Sequence, residues 1–204
     1  MPDTREALIA AGLRLFTTQG YAATGVQQIV GEAGVPKGSF YNHFASKEAY
    51  CAAVLDRYMD TLLARLEAPD GRANPVASVR AFHERLFQVL GQRPGTLTCM
   101  LGSFATEVDE SAAVLSEAMA NGIERWVRAY ETLFAEAQAR GQVRTDIPAR
   151  QLAETFWNQW QGGLAQMRLR RSTESLESSF AAMLSMLLAP SNAALDSIHP
   201  EGIS

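Results

Sequence analysis

Apolar residues recur at the 3.6-residue spacing of an α-helix along almost the whole chain, and nothing in the sequence asks for a β-sheet. In TREALIAAGLRLFTTQG, Leu8, Ala11, Leu15 and Phe16 fall on one stripe, and Gly20 stops the helix. TGVQQIVGEAG reads as a second helix, with Thr24 at the N-cap and Gln27 three residues on in a capping box. Val26, Ile29, Val30 and Ala33 form its inner face, and Gly34 suits the left-handed position at its end. A very short third helix runs from about Pro36 to His43, with Phe40 and Phe44 pointing inward at i and i+4. A fourth begins near Ser46 and reaches about Leu66, before EAPDGRANP makes the clearest break in the chain. Asn74 then caps a helix that has Pro75 at its first position and reaches about Leu90. Further helices are expected from about Thr96 to Val108, Ser111 to Arg140, Pro148 to Arg170, and Ser172 to Ala189. The fold class is therefore all-α, and the tail over 190–204 is expected to be disordered.

Composition narrows the function more than the fold. An apolar fraction of 47% and a charged fraction of 20% fit a folded, soluble chain with a sizeable core. No apolar run is long enough to cross a bilayer, and the acidic, amphipathic start does not read as a signal peptide, so a cytoplasmic location is expected. Cys51 and Cys99 are too few for a disulfide framework, and the three histidines are scattered, so neither a metal site nor a cofactor is expected. The formal net charge of −4 speaks against a generally basic nucleic-acid coat. Its distribution matters more. Residues 1–50 carry Arg5, Arg14, Lys37 and Lys47 against Asp3, Glu6, Glu32 and Glu48, which leaves that stretch neutral. The deficit lies entirely in the other 154 residues, where 14 basic side chains face 18 acidic ones.

Both lysines of the chain fall within GVPKGSFYNHFASKE. Two helices joined by a tight glycine-containing turn, the second of them short, make a helix-turn-helix pattern. A short helix of this kind can enter a DNA major groove with its early residues nearest the base edges. If Phe40 and Phe44 hold the third helix to the core, Lys37, Ser39, Tyr41, Asn42 and His43 are left on its outer surface. Lys37 and Lys47 suit phosphates, Tyr41 and His43 can donate to phosphate oxygens, and Ser39 and Asn42 are short enough to approach bases. Gly38 lets the backbone come close, and the start of the second helix near Thr24 offers backbone N–H groups to another phosphate. The residues alone leave a second reading open: an ordinary helical hairpin with solvated lysines, in an adaptor that binds only protein. The two differ in outcome, because the adaptor predicts that Lys37→Ala and Tyr41→Phe leave DNA affinity unchanged.

ATGVQQIVGEAGVPKGSFYNHFASKEAY resembles the DNA-binding signature of the TetR family of transcriptional repressors, a match that covers about residues 5–50. The resemblance implies a helix-turn-helix DNA-binding domain over 1–46 and a helical ligand-binding and dimerisation domain over 47–189. It also implies a homodimer on a palindromic double-stranded operator, released by a small-molecule effector. It assigns DNA contacts to Lys37, Ser39, Tyr41, His43 and Lys47, and a backbone contact to Thr24. Two departures stand out: Pro36 where a capping serine is usual, and Gly25 where serine or threonine is usual.

The remaining helices then divide into a partner surface and a pocket. RQLAETFWNQWQGGLAQMRLRR and SLESSFAAMLSMLLA are apolar over more than one face, as a core on one side and a partner on the other would require. Their stripes include Leu152, Phe156, Gln159 and Gly163 with Ala153, Trp157 and Trp160, then Leu176, Phe180, Met183, Leu184 and Leu187. Pocket walls are sought among Phe82, Phe87, Met100, Phe104, Trp126, Tyr130, Trp157 and Trp160, all of which also make ordinary core residues. GTLTCMLGSFATEV is similar to the matching segment in a subgroup of the family that includes electrophile- and acrylate-responsive repressors. That resemblance implies a reactive Cys99 with Arg168 near it, against the plain reading of Cys99 as a small buried residue. Ser103 and Glu107 suggest no catalytic set, because no histidine, phosphate loop or nucleophile elbow accompanies them.

Overall fold

The computed structural model describes residues 3–66, 74–92, 99–108 and 112–187. Among these the elements are helices: α1 Thr4–Gln19, α2 Val26–Ala33, α3 Lys37–His43, α4 Lys47–Leu66, α5 Pro75–Gly91, α6 Met100–Glu107, α7 Ala113–Ala139, α8 Ala149–Arg170 and α9 Glu174–Leu187. The expected starts of the sixth and seventh helices, at Thr96 and Ser111, lie outside the described residues, as do the end of the ninth at Ala189 and the tail over 190–204.

Local chemistry sets most of the ends. Asp3 accepts from Arg5 N at the start of α1, Ser46 Oγ from Ala49 N at the start of α4, and Asn74 Oδ1 from Ala77 N at the start of α5. Gly34 closes α2 at φ +68°, a conformation that a side chain would strain. The start of α2 corrects the sequence reading. Its N-cap is Gly25, whose backbone N–H is met by Gln28 Oε1 at 2.9 Å, and not Thr24 with Gln27. Thr24 cannot cap because its hydroxyl donates to Gly20 O at 2.7 Å within the turn.

α1, α2 and α3 close around Leu8, Phe16, Ile29 and Phe40, all fully buried. Phe40, Phe44 and Tyr50 pack ring against ring at 5.0 to 5.7 Å. Each such ring contributes roughly 1.5–3 kcal/mol by burial. Tyr50 reaches across to donate to Leu8 O at 2.7 Å, which fixes α4 to α1. α4 also packs along α7, α7 along α8, and α8 along α9, so α4 is shared between the small three-helix unit and the larger body. In that body His83 is fully buried, donating from Nδ1 to Val79 O at 2.8 Å and stacked on Phe180. Burial holds its imidazole neutral, with the pKa pushed down to about 3.

The candidate nucleic-acid interface and effector cavity

α3 turns one side inward and the other out. Phe40 is completely buried, while Lys37, Gly38, Asn42 and His43 are exposed, Tyr41 is 54% exposed and Ser39 is half-buried. A Cβ at Gly38 would meet nothing within 4 Å, so no packing inside the chain accounts for a glycine at this exposed helical position. Two residues expected to contact DNA have side chains engaged within the chain. Thr24 is fully buried, with its hydroxyl spent on Gly20 O. Lys47 Nζ donates to Tyr21 O at 2.7 Å and sits 4.1 Å from the centre of the Tyr21 ring. Partial burial lowers its pKa. Lys47 therefore acts as a strut across the turn after α1, and Lys37 is the lysine that faces outward.

That same turn is gripped from the larger body. Glu107, at the end of α6, accepts from Ala22 N at 2.8 Å and from Ser103 Oγ at 2.7 Å. Its carboxylate fills the space where a side chain at Gly20 would stand. Phe104, one turn earlier, packs edge-on to Phe16 and Tyr21. Ser103 and Glu107 are thus structural partners. A second tie runs from α4 to α7, where Glu48 Oε1 accepts from Leu115 N at 3.0 Å in the first turn of α7.

The other end of α6 opens on a cavity. Cys99 is its N-cap residue, and a void of about 50 Å³ is lined by Tyr58, Met59, Leu62, Leu86, Leu90, Cys99, Leu101, Trp126, Trp157, Trp160 and Leu164. Of the walls sought in the sequence, Trp126, Trp157 and Trp160 line it beside Cys99. Met100, Phe104 and Tyr130 do not. Met100 and Phe104 are fully buried in the core, and Tyr130 is stacked between Trp126 and Phe156. Phe82 packs behind Trp126, and Phe87 lies against Trp160 and Phe180.

Arg168 also lies elsewhere. It lines a separate surface cleft of about 530 Å³ between α6, α7 and α8. The side chain of α8 that meets the cysteine is Gln161, whose Nε2 is 3.5 Å from Cys99 Sγ. Arg168 is two helical turns further along α8, about 10 Å, and lines the cleft with Ala105 and Thr106 of α6. The sequence held one signal for Gln161. A side chain at Gly102 would collide with its carboxamide, so a glycine inside α6 marks where α8 comes closest. Tyr58, which sequence reading missed, lines the cavity beside Cys99 from α4, and desolvation holds its phenol well above the ordinary pKa. Cys51 is fully buried with its thiol pushed up to about 12, chiefly by desolvation, whereas Cys99 is only partly buried.

The faces of α8 and α9 resolve differently from their sequence stripes. Leu152, Ala153, Phe156, Trp157, Trp160, Gly163, Leu176, Phe180, Met183, Leu184 and Leu187 are all buried within the chain. Gly163 admits Leu176 at close range. The outward faces carry other residues: Gly162, Ala165 and Leu169 on α8, and Ala182 and Met186 on α9, with Leu169 81% and Met186 64% exposed.

A short exposed helix held by two phenylalanines on a three-helix unit, joined through α4 and α6 to a larger helical body with a pocket beside Cys99, defines a helix-turn-helix transcriptional regulator. Residues 8–54 match the family described as bacterial regulatory proteins, tetR family, and residues 75–183 match the tetracyclin repressor-like C-terminal domain. The chain is 30% identical over 186 residues to the transcriptional repressor DhaR of a Mycobacterium species, strain GP1, covering 90% of this chain and 92% of that one. It is 34% identical over 176 residues to the transcriptional regulator AcuR of Cereibacter sphaeroides, covering 85% and 80%. The reduced form of Escherichia coli NemR superposes with a TM-score of 0.78 at 26% identity, covering 93% of this chain and 99% of that one. This protein belongs to the TetR family of transcriptional regulators, and its relatives are regulators, not enzymes. No described helix is long and apolar enough to cross a membrane.

Proposed function

We propose that the chain is a dimeric repressor that binds a palindromic operator through α3 and lets go when a small molecule occupies the cavity beside Cys99. The observation that carries this reading is the layout of α6. Its first turn lines the cavity with Cys99 and Leu101, and its last residue holds the turn between α1 and α2. A ligand that favours a different position of α6 therefore acts directly on the unit that carries α3. Lys37, Gly38, Ser39, Tyr41, Asn42 and His43 form the DNA-facing set, while Thr24 and Lys47 support it from behind. One α3 makes too few contacts for useful specificity, and the exposed apolar strip Gly162, Ala165, Leu169, Ala182 and Met186 is the surface on which two chains would pair.

Cys99 is the attachment point for a reactive electrophile in this reading. Cys51 is excluded by its burial. The relatives named as repressors support the direction of control, and the cavity supports a small effector. The test is binding to duplex DNA taken from beside the gene, with the mass of the complex measured. Two chains per duplex and release by N-ethylmaleimide in wild type but not in Cys99→Ser are expected. One chain per duplex refutes the dimer, and equal release from both proteins refutes sensing at Cys99.

A further inference from the structure

Gln161 and Gly102 share one position between α8 and α6. Gln161 is partly buried, and its carboxamide occupies the space where a side chain at Gly102 would stand. A glycine inside a helix is destabilising relative to alanine, so the missing side chain calls for a reason. Laid over Gly102, Gln161 reaches the start of α6 and brings its Nε2 to 3.5 Å from Cys99 Sγ, as a donor to the sulfur. Cys99 is the N-cap residue of α6, but its side chain makes no capping bond. A donor stabilises a thiolate more than a thiol, because hydrogen bonds to charged groups are roughly twice as strong as neutral ones. The positive end of α6 acts in the same direction. Among the described residues that line the cavity with Cys99, Tyr58 is the other titratable one, and desolvation keeps its phenol neutral. The charged group of α6 is Glu107, engaged at the far end with Ala22 and Ser103. On α8, Glu154 and Arg168 each stand two turns from Gln161.

We propose that Gln161 is a positioning residue for Cys99: its amide N–H holds the sulfur and stabilises the thiolate that attacks an electrophile, and Gly102 leaves room for the carboxamide to do so. This role rests on Cys99 being the attachment point. With iodoacetamide as the probe, the thiol first gives its proton to solvent. The thiolate sulfur then bonds to the methylene carbon as the carbon–iodine bond breaks and iodide leaves. A hydrogen-bonded thiolate is present at lower pH but is a weaker nucleophile. The donor therefore raises the rate at neutral pH and lowers the plateau at high pH.

The test is the rate of Cys99 alkylation by iodoacetamide as a function of pH on the full chain, read from the Cys99 peptide by mass spectrometry. Gln161→Leu is expected to move the midpoint of the profile up by about 0.7–1 pH unit. It should slow the reaction about threefold at pH 7 and speed it about twofold at the plateau. Gly102→Ala pushes the carboxamide aside without altering it and is expected to move the midpoint the same way. The double variant is expected to match Gln161→Leu, because both changes remove one interaction. If Gln161→Leu does not fold, Gln161→Glu keeps the size, loses the donor and is expected to move the midpoint further up. A merely structural tie would scale the rate by one factor at every pH. Such a uniform factor overturns the proposal, as does a Gln161→Leu or Gly102→Ala profile that overlays wild type, or shifts that add in the double variant. A shifted profile with an adduct that leaves operator affinity unchanged strikes sensing at Cys99 and leaves the role of Gln161 standing. An unshifted profile with an adduct that releases DNA does the reverse, and no adduct at wild-type Cys99 overturns both.

Discussion

The carboxylate of Glu107 accepts the backbone N–H of Ala22, a residue 85 positions earlier, at 2.8 Å. This bond joins the end of the helix that starts at the cavity to the turn on which the DNA-facing unit is built. Glu107→Ala removes the acceptor and also empties the space beside Gly20. Operator affinity without effector is expected to fall about threefold to tenfold, as a charge-assisted but partly exposed hydrogen bond would give. Glu107→Gln keeps a carbonyl oxygen for Ala22 and is expected to stay within about twofold of wild type. Equal behaviour of the two variants in a fluorescence anisotropy titration would remove this tie from the coupling.

Lys47 offers a contrast with Lys37. Its ammonium holds Tyr21 by a hydrogen bond and a ring contact, both partly buried. Lys47→Ala is expected to cost about 1–2 kcal/mol of stability. Lys37→Ala, at an exposed position, is expected to cost less than about 0.5 kcal/mol. Urea unfolding of both variants measures the difference, and a Lys47→Ala curve that overlays wild type would contradict the strut.

The two cysteines should react unequally. Iodoacetamide on the folded chain is expected to give a single adduct, at Cys99, because the Cys51 thiol is buried and its pKa is pushed up to about 12. Peptide mass spectrometry reads this directly. Labelling of Cys51 at the rate of Cys99 would show that the first turns of α4 open readily.

His83 predicts the response to mild acid. Its folded pKa lies near 3, below the unfolded value of 6.5, so the unfolded chain binds the extra proton between these limits. Stability from this group is complete above about pH 6.5 and declines as pH falls, by up to about 1.4 kcal/mol per unit. Between pH 6.5 and 5, where carboxylates hardly titrate, wild type is expected to lose about 2 kcal/mol in urea unfolding. His83→Gln should lose much less over the same window. Parallel pH slopes for the two proteins would mean that His83 is protonated in the folded state.

How much of this is legible in the sequence follows from how far each residue's partner lies along the chain. The inward Phe40 and Phe44 and the outward Lys37, Tyr41, Asn42 and His43 follow from spacing within α3. The caps at Ser46 and Asn74 are equally local. Periodicity misplaces Lys47 because its partner, the Tyr21 carbonyl, belongs to a turn 26 residues away that no helical spacing describes. Thr24 is misplaced for a related reason: its type suits an N-cap, but the turn after α1 claims its hydroxyl first. The tryptophans of the cavity are found by residue type. Tyr58, Met59 and Leu62 are not, because only the packing of α4 against α7 shows which side of α4 faces the void. Apolarity on α8 and α9 points to two buried faces, yet the largest side chains all turn inward and leave a strip of smaller and exposed residues outside.

The salt dependence of operator binding tests the outward face of α3 most directly. Each phosphate that the protein no longer neutralises should lower the slope of log K against log salt by about 0.9. Lys37→Ala is expected to bind more weakly with a slope shallower by about that amount, and Lys47→Ala to leave the slope near that of wild type. Unchanged affinity and slope in Lys37→Ala, together with unchanged affinity in Tyr41→Phe, would contradict DNA binding through α3.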